Sequence, residues 1–318
     1  MIISSKEALD AQEISKRYNG KKVLDNVSLQ MGPTEFYVIM GPNGSGKSTF
    51  LSILAGTNSF DTGVVRILGN DLCQDKLEAR GHIGYVPQEN FCSDFLSGRE
   101  NLEFFADLLG LPKSQAKDKI DDLLQMMGLE DEGDKSVGNY SGGMRKKLEV
   151  ATALLGNARI LFLDEPTTGL DPVVRKDFLS LLQEINKRGT AILLVTHIGE
   201  DAEMASRVGF MLRGEIVAEG TPEELKEISG LKSSIVVDAT PRTEELMLLL
   251  ASLSSDCIVI EREEALELIC EETKTMVPEI VDKIQRSGYT IHRVETRPPS
   301  LEDIFYKLTA HPIRGEMP

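Results

Sequence analysis

The chain predicts an α/β protein: a phosphate-binding core on a parallel sheet, with an antiparallel β subdomain and a helical insert, and a small α+β domain after it. Three observations carry this. GPNGSGKST (Gly41–Thr49) sits between the apolar run EFYVIM (Glu35–Met40) and an apolar helical stretch, FLSILAG. ILFLDEP ends a buried-type strand on two carboxylates, Asp164 and Glu165. After Gly230 the pattern restarts as βαββαβ plus a closing helix, the ferredoxin-like order. The expected domains are therefore 1–229 and 230–318, with the helical subdomain at about 90–157.

Each element has a local reason. Residues 11–29 read as a hairpin around Asn19-Gly20, a pair that favours the positive-φ turn joining antiparallel strands. Residues 35–40, 64–69 and 82–87 read as strands. SGRENLEFFADLLG opens on a capping box, Ser97 to Glu100, and continues at helical period, as does KSQAKDKIDDLLQMMGL. A helix over 144–156, a strand over 159–166, a helix over 172–188 and a strand over 191–197 repeat the βα rhythm of a parallel sheet. GFMLRGEIVAEG (209–220) reads as a final hairpin. Beyond it, SIVVDA, DCIVIE, ALELICE and YTIHRVE read as strands. TEELMLLLASL, MVPEIVDKIQRS and LEDIFYKLT read as helices.

Composition narrows the function. The 318 residues carry a net charge of −16 and a pI near 4.8. Residues 230–318 hold ten Lys/Arg against sixteen Asp/Glu, so both parts are acidic. A general nucleic-acid binder shows a basic face, and none is expected here. The four cysteines have no C-x-x-C spacing and read as reduced thiols. No apolar run approaches the ~20 residues of a spanning helix, and the first residues have no signal-peptide core. Action at a membrane would go through a partner.

The chemistry follows from three stretches. Gly41, Pro42, Asn43, Gly44, Ser45, Gly46, Lys47, Ser48 and Thr49 fit G-x-x-x-x-G-K-[ST] between a strand and a helix. Its backbone N–H groups would cradle phosphates, Lys47 would supply a point charge, and Ser48 a hydroxyl to Mg²⁺. Asp164 ends a strand at the sheet edge where ligands bind, and reads as the metal partner. Strand alternation puts Glu165 on the opposite side, free to polarise a water. NYSGGM (139–144) places a hydroxyl and two glycines before a helix, a second anion-binding end.

Taken together, these motifs resemble the ATP-binding subunit of an ABC transporter over about residues 10–225. The resemblance implies a P-loop NTPase core of ABC type, using ATP and Mg²⁺. It implies that Tyr18 stacks on adenine and that Gln88 of YVPQEN contacts Mg²⁺ or the attacking water. Glu165 becomes the catalytic glutamate, Asp171 of the GLD stretch (the D-loop) joins the nucleotide-binding residues, and His197 of LLVTHI senses the γ-phosphate. Ser141, Gly142 and Gly143 would bind the γ-phosphate held by another copy, or by a homologous subunit, in a two-fold dimer.

Tyr140, Met144, the basic Arg145-Lys146-Lys147 and PSLEDIF (Pro299–Phe305) resemble the exporter-type group that handles drugs, sodium and lipids. Thr152, where relatives often carry arginine, and a missing proline over 156–159 are departures. The implied partner is a separate integral membrane permease, with this subunit on its cytoplasmic face. Most of FFADLLG is expected to be core, leaving the surface near Gln88–Phe95 for docking. The C-terminal domain is expected to serve dimer contact or regulation. The alternative is a soluble, non-transport ATPase switching another macromolecule. Such proteins usually fuse two cassettes or carry basic inserts, and this chain has one cassette and an acidic surface.

Overall fold

The computed structural model describes residues 7–231, 233–253, 257–262, 265–270 and 276–310. They form two compact units. One runs to His197 and takes in 204–217; the other holds 198–203 and the residues from Ala218.

In the first unit, β1 (Leu9–Tyr18) and β2 (Lys21–Met31) are antiparallel, with several register shifts along the pair. Asn19 (φ 49°) and Gly20 (φ 81°) make the turn between them, as the dipeptide predicts. β4 (Thr62–Ile67) pairs antiparallel with β1 and β5 (Asn70–Asp71) with β4, completing a sheet ordered β2-β1-β4-β5.

The second sheet runs β10-β9-β3-β8-β7-β6. Its strands are β3 (Phe36–Met40), β6 (Ile83–Val86), β7 (Ile160–Asp164), β8 (Ala191–Thr196), β9 (Arg207–Leu212) and β10 (Glu215–Gly220). From β9 to β6 every pairing is parallel. β3, β7 and β8 are buried at every residue. That accounts for their unbroken apolar runs, since a parallel sheet is covered on both faces. α1 (Lys47–Leu54) follows β3, and its Phe50, Leu51 and Leu54 share one core with Ile14, Leu24 and Val65 of the antiparallel sheet. This core fixes the loop between β3 and α1.

α2 (Lys76–Gly81) precedes β6 and has little apolar pattern to announce it. α3 (Gly98–Leu108) starts on the expected capping box: Ser97 N donates to Glu100 Oε2 at 2.7 Å, and Glu100 N to Ser97 Oγ at 3.1 Å. α3, α4 (Lys113–Met127) and α5 (Gly142–Leu154) pack on one another as the helical insert. α6 (Pro172–Lys187) leads to β8. Phe104, Leu108 and Leu109 are exposed rather than core. Phe104 and Leu108 lie on the α3 face turned away from buried Leu102 and Ala106, and Leu109 caps the helix end, so only part of FFADLLG is inward.

The second unit begins with α7 (Gly199–Ala202) and α8 (Pro222–Ser229). The sequence reading cut the chain after Ser229. The compact unit instead includes α8, which packs on the closing helix α11 (Leu301–Ala310). Between them lie β11 (Ser233–Thr240), α9 (Glu244–Ala251), β12 (Ile258–Glu261), β13 (Leu266–Cys270), α10 (Met276–Arg286) and β14 (Thr290–Arg297). The sheet is antiparallel in the order β12-β13-β11-β14, the ferredoxin-like topology. Cys73 and Cys92 are free thiols, whereas Cys257 is disulfide-bonded, which departs from the reading of all four cysteines as reduced.

Candidate active site

The loop from Gly41 to Gly46 leaves β3 and is pinned at several points by the backbone. Gly41 N donates to Thr196 O at the end of β8, at 3.2 Å, and Gly214 N donates to Ser45 O at 2.8 Å. A Cβ on Gly41 would lie 2.2 Å from the Met211 carbonyl oxygen, so only glycine fits there. Ser45 Oγ is buried and has no hydrogen-bond partner among the described residues. A buried hydroxyl without a partner at the head of such a loop fits a phosphate oxygen.

The first turn of α1 meets the end of β7. Ser48 Oγ donates to Asp164 Oδ1 at 2.9 Å. Lys47 Nζ donates to Gly41 O at 2.8 Å and Pro42 O at 3.1 Å, and stands 3.6 Å from Glu165 Oε1. Glu165 in turn accepts at Oε2 from Thr168 Oγ1 at 3.3 Å and lies 3.1 Å from His197 Nδ1. Lys47, Asp164 and Glu165 are all buried. Burial pulls the Lys47 ammonium down from its ordinary pKa against the pull of Glu165 and Asp164. Burial likewise pushes the Asp164 carboxyl up, against the Ser48 hydrogen bond. Both shifts show charge held in a water-poor place, where a further cation or anion interacts strongly.

Glu165 does not lie opposite Asp164 as strand alternation predicts. β7 ends at Asp164, and Glu165 has φ 47°, in the left-handed region. The strand's period of two stops there. Both carboxylates consequently reach the first turn of α1, Asp164 to Ser48 and Glu165 to Lys47. This brings Lys47, Ser48, Asp164, Glu165 and His197 into one cluster. A hydroxyl and one carboxylate suit Mg²⁺, which takes few protein ligands and completes its shell with water and phosphate. Among the described residues no cluster of three or more His, Cys, Asp or Glu is built to hold a metal by itself.

Other predicted residues stand around this cluster. Tyr18, at the end of β1, is 43% exposed, with its hydroxyl accepting from Asn58 Nδ2 at 2.6 Å and Lys16 Nζ 5.1 Å from the ring centroid. One face of its ring carries the Lys16 ammonium, and part of the ring is open to solvent. Gln88 is exposed on the loop after β6. Asp171 caps α6, accepting at Oδ1 from Val173 N and Val174 N, each at 3.1 Å.

Ser141 caps α5, its Oγ accepting from Met144 N at 3.3 Å. Ser141 and Gly142 are exposed, and Gly143 is packed against Val174 of α6. Tyr140 is fixed by its hydroxyl, which donates to Glu132 O at 2.8 Å. Among the described residues no hydrogen bond or ion pair joins Ser141–Gly143 to Gly41–Thr49 of the same chain. Sequence reasoning passed over Thr168 beside Glu165, and Lys146 and Glu149 on α5, which face the Gln88 loop. Thr168 lies in the stretch EPTTG, a signal that was present, whereas Lys146 and Glu149 read as ordinary charges on a helix.

Known proteins share these features. Residues 24–168 match the family described as ABC transporter, and residues 220–309 match the ATP-binding protein DrrA1-3-like, C-terminal domain. The daunorubicin resistance ATP-binding protein DrrA2 of Streptomyces coeruleorubidus is 33% identical, over 96% of this chain and 95% of that protein. The Nod factor export ATP-binding protein I of Burkholderia thailandensis is 36% identical, over 95% and 96% respectively. Among solved structures, a dimeric ATP-binding cassette in a post-hydrolysis state with ADP and Pi superposes with a TM-score of 0.60 at 28% identity. That match covers 67% of this chain and 98% of the other. The cbiO1 subunit from Clostridium perfringens gives 0.65 at 27% identity, over 71% and 94%.

Proposed function

The chain belongs to the ATP-binding subunits of ABC transporters, in the group of drug-resistance and Nod factor export ATPases, and on that membership we propose how its residues divide the work of hydrolysis. It is an ATPase, the nucleotide-binding subunit of an exporter-type system. The observation that carries the division of roles is the cluster of Lys47, Ser48, Asp164, Glu165 and His197 at the end of the parallel sheet.

The triphosphate of ATP lies along Gly41–Thr49, received by loop N–H groups and the Ser45 hydroxyl, with adenine against Tyr18. Lys47 leaves the Gly41 and Pro42 carbonyls for the β- and γ-phosphates. Ser48 and Asp164, with Gln88, would hold Mg²⁺, which neutralises phosphate charge when bound. Glu165 polarises a water. As that water attacks the γ-phosphorus in line, the bond to the β-bridging oxygen breaks. His197, anchored on Glu165, holds the γ-phosphate geometry.

Ser141–Gly143 of a second copy close over the same γ-phosphate, with Asp171 steadying the loop beside the interface. Two copies thus enclose two ATP molecules, and loss of the γ-phosphate releases them. Among the described residues no helix is long and apolar enough to cross a membrane. The transport path then belongs to a separate permease, with this subunit at its cytoplasmic side. Its docking place is the stretch Gln88–Phe95, exposed at 88–90 and 94–95, and the adjacent groove of about 450 Å³, lined by Tyr85, Pro87, Phe91, Phe105, Leu108 and Leu109.

Glu165→Gln tests the assignment. It should bind ATP normally while turnover falls by ~10²–10⁴, the usual weight of general-base assistance. Single-turnover hydrolysis measures it, and an undiminished rate would refute the role.

A further inference from the structure

Helix α5 carries the glycine turn at its N-terminus, and one turn later it carries a buried ion pair that the proposed mechanism does not use. Glu149 is fully buried and Lys146 is 9% exposed. Lys146 Nζ lies 2.8 Å from Glu149 Oε2. The same ammonium reaches the Gln88 carbonyl and Asn90 Oδ1, each at 3.5 Å. Glu149 Oε1 is buried without a hydrogen-bond partner among the described residues, and the Phe91 backbone lies near enough to favour the charged carboxylate. At the far end of this loop, Arg145 pairs with Asp94.

Two points of the loop after β6, at 88 and 90, are therefore reached by the Lys146 ammonium, which Glu149 holds in place on α5. A surface salt bridge would do little here, but this pair is buried and its partners are backbone and amide groups that only one loop conformation presents.

We propose that Lys146 and Glu149 are positioning residues that clamp the Gln88 loop onto α5, so that the Gln88 amide and the Ser141–Gly143 turn move as one body. The inference rests on the reading that Gln88 and Ser141–Gly143 both face ATP phosphate. A phosphate reaching Ser141 in one copy then alters the placement of Gln88 in that same copy, whose own nucleotide is the other one of the dimer. This gives the two composite sites a mechanical link inside each subunit.

The test uses the purified full-length chain. Lys146→Met alone leaves Glu149 buried without its cation, so the informative variant is Lys146→Met with Glu149→Leu, an apolar exchange that strands no charge. It should keep ATP affinity within about threefold. Its kcat should fall about tenfold, and amide hydrogen exchange over 88–91 should accelerate and cease to respond to ATP. In a Gln88→Ala background the exchange should add almost no further loss of kcat, because the pair acts through Gln88. Lys146→Arg should retain activity.

Full kcat with unchanged exchange at 88–91 would overturn the proposal. Losses that multiply fully with Gln88→Ala would overturn it too, as would a parallel collapse of ATP binding and thermal stability. Gln88→Ala and Ser141→Arg separate the two levels. If neither alters turnover, the underlying reading fails; if both do and the apolar exchange does not, only the clamp fails.

Discussion

At the scale of single residues, the site works because a few groups are buried where their charge matters. Lys47 gives up hydration to enter the loop, and its carbonyl bonds and Glu165 stand in for water. Lys47→Ala should lose ATP binding or turnover, read by nucleotide-binding fluorescence and phosphate release. Undiminished activity would contradict its role. Most of these groups were legible in the sequence, because a glycine-rich loop with Lys-Ser and a strand ending on Asp-Glu name their own chemistry. The direction of Glu165 was not. Alternation is a property of extended backbone, and the positive φ at Glu165 that ends it leaves no mark in residue type.

At the scale of elements, the glycine turn of α5 is shaped by what lies beneath it. A Cβ on Gly143 would fall 2.3 Å from Val174 Cγ1. Gly143→Ala should therefore destabilise the α5–α6 packing by about 1–3 kcal/mol and weaken ATP-driven association. Thermal unfolding and light scattering measure the two effects. Gly143→Ala combined with Val174→Ala should recover part of both.

The long elements were readable because apolar runs and capping boxes are local signals. α8 was also readable, since Thr221 and Glu224 form a capping box with Pro222 at its first position. No element is assigned to this stretch from sequence. α2 and α7 have no such pattern, being short and held by their surroundings. Most of FFADLLG was expected in the core, but Phe104 and Leu108 stand opposite buried Leu102 and Ala106, and Leu109 is exposed at the helix end.

At the scale of the whole molecule, the second unit has its own buried polar centre. Glu267 on β13 is 1% exposed. It accepts from Arg297 Nε at 2.6 Å, Ser234 Oγ at 2.8 Å and Arg262 Nε at 3.1 Å. Burial pushes its pKa up, but the bonds from Arg297 and Ser234, with Arg262, outweigh burial and hold the carboxyl below its ordinary value. A depressed carboxylate stabilises the fold above its unfolded pKa, and that stabilisation is lost as pH falls through the lower, folded value.

Glu267→Leu should cost about 1–3 kcal/mol at neutral pH, because Arg297 and Arg262 each lose one carboxylate while keeping Asp303 and, for Arg262, Glu302. The difference from the unaltered chain should shrink below about pH 4. Denaturant titrations at several pH values check this, and a pH-independent difference would contradict it. The sequence marked the βαββαβ order of this unit but not its ion network, since Glu267, Arg262 and Arg297 lie on separate strands and loops that only the sheet order brings together. Truncation after Ser229 would strip α11 from α7 and α8, uncovering buried Ala202 and Leu225. Point changes are therefore the cleaner probe of this unit.

On the proposed mechanism, a second copy completes the hydrolytic site through Ser141–Gly143. The most direct test is the mass of Glu165→Gln in solution with and without ATP, measured by size exclusion with light scattering, alongside the same chain also carrying Ser141→Arg. Glu165→Gln should form an ATP-dependent dimer holding two nucleotides, and an ATP-bound monomer once Ser141→Arg is added. A dimer that forms equally well with arginine at that position, or without ATP, would contradict it.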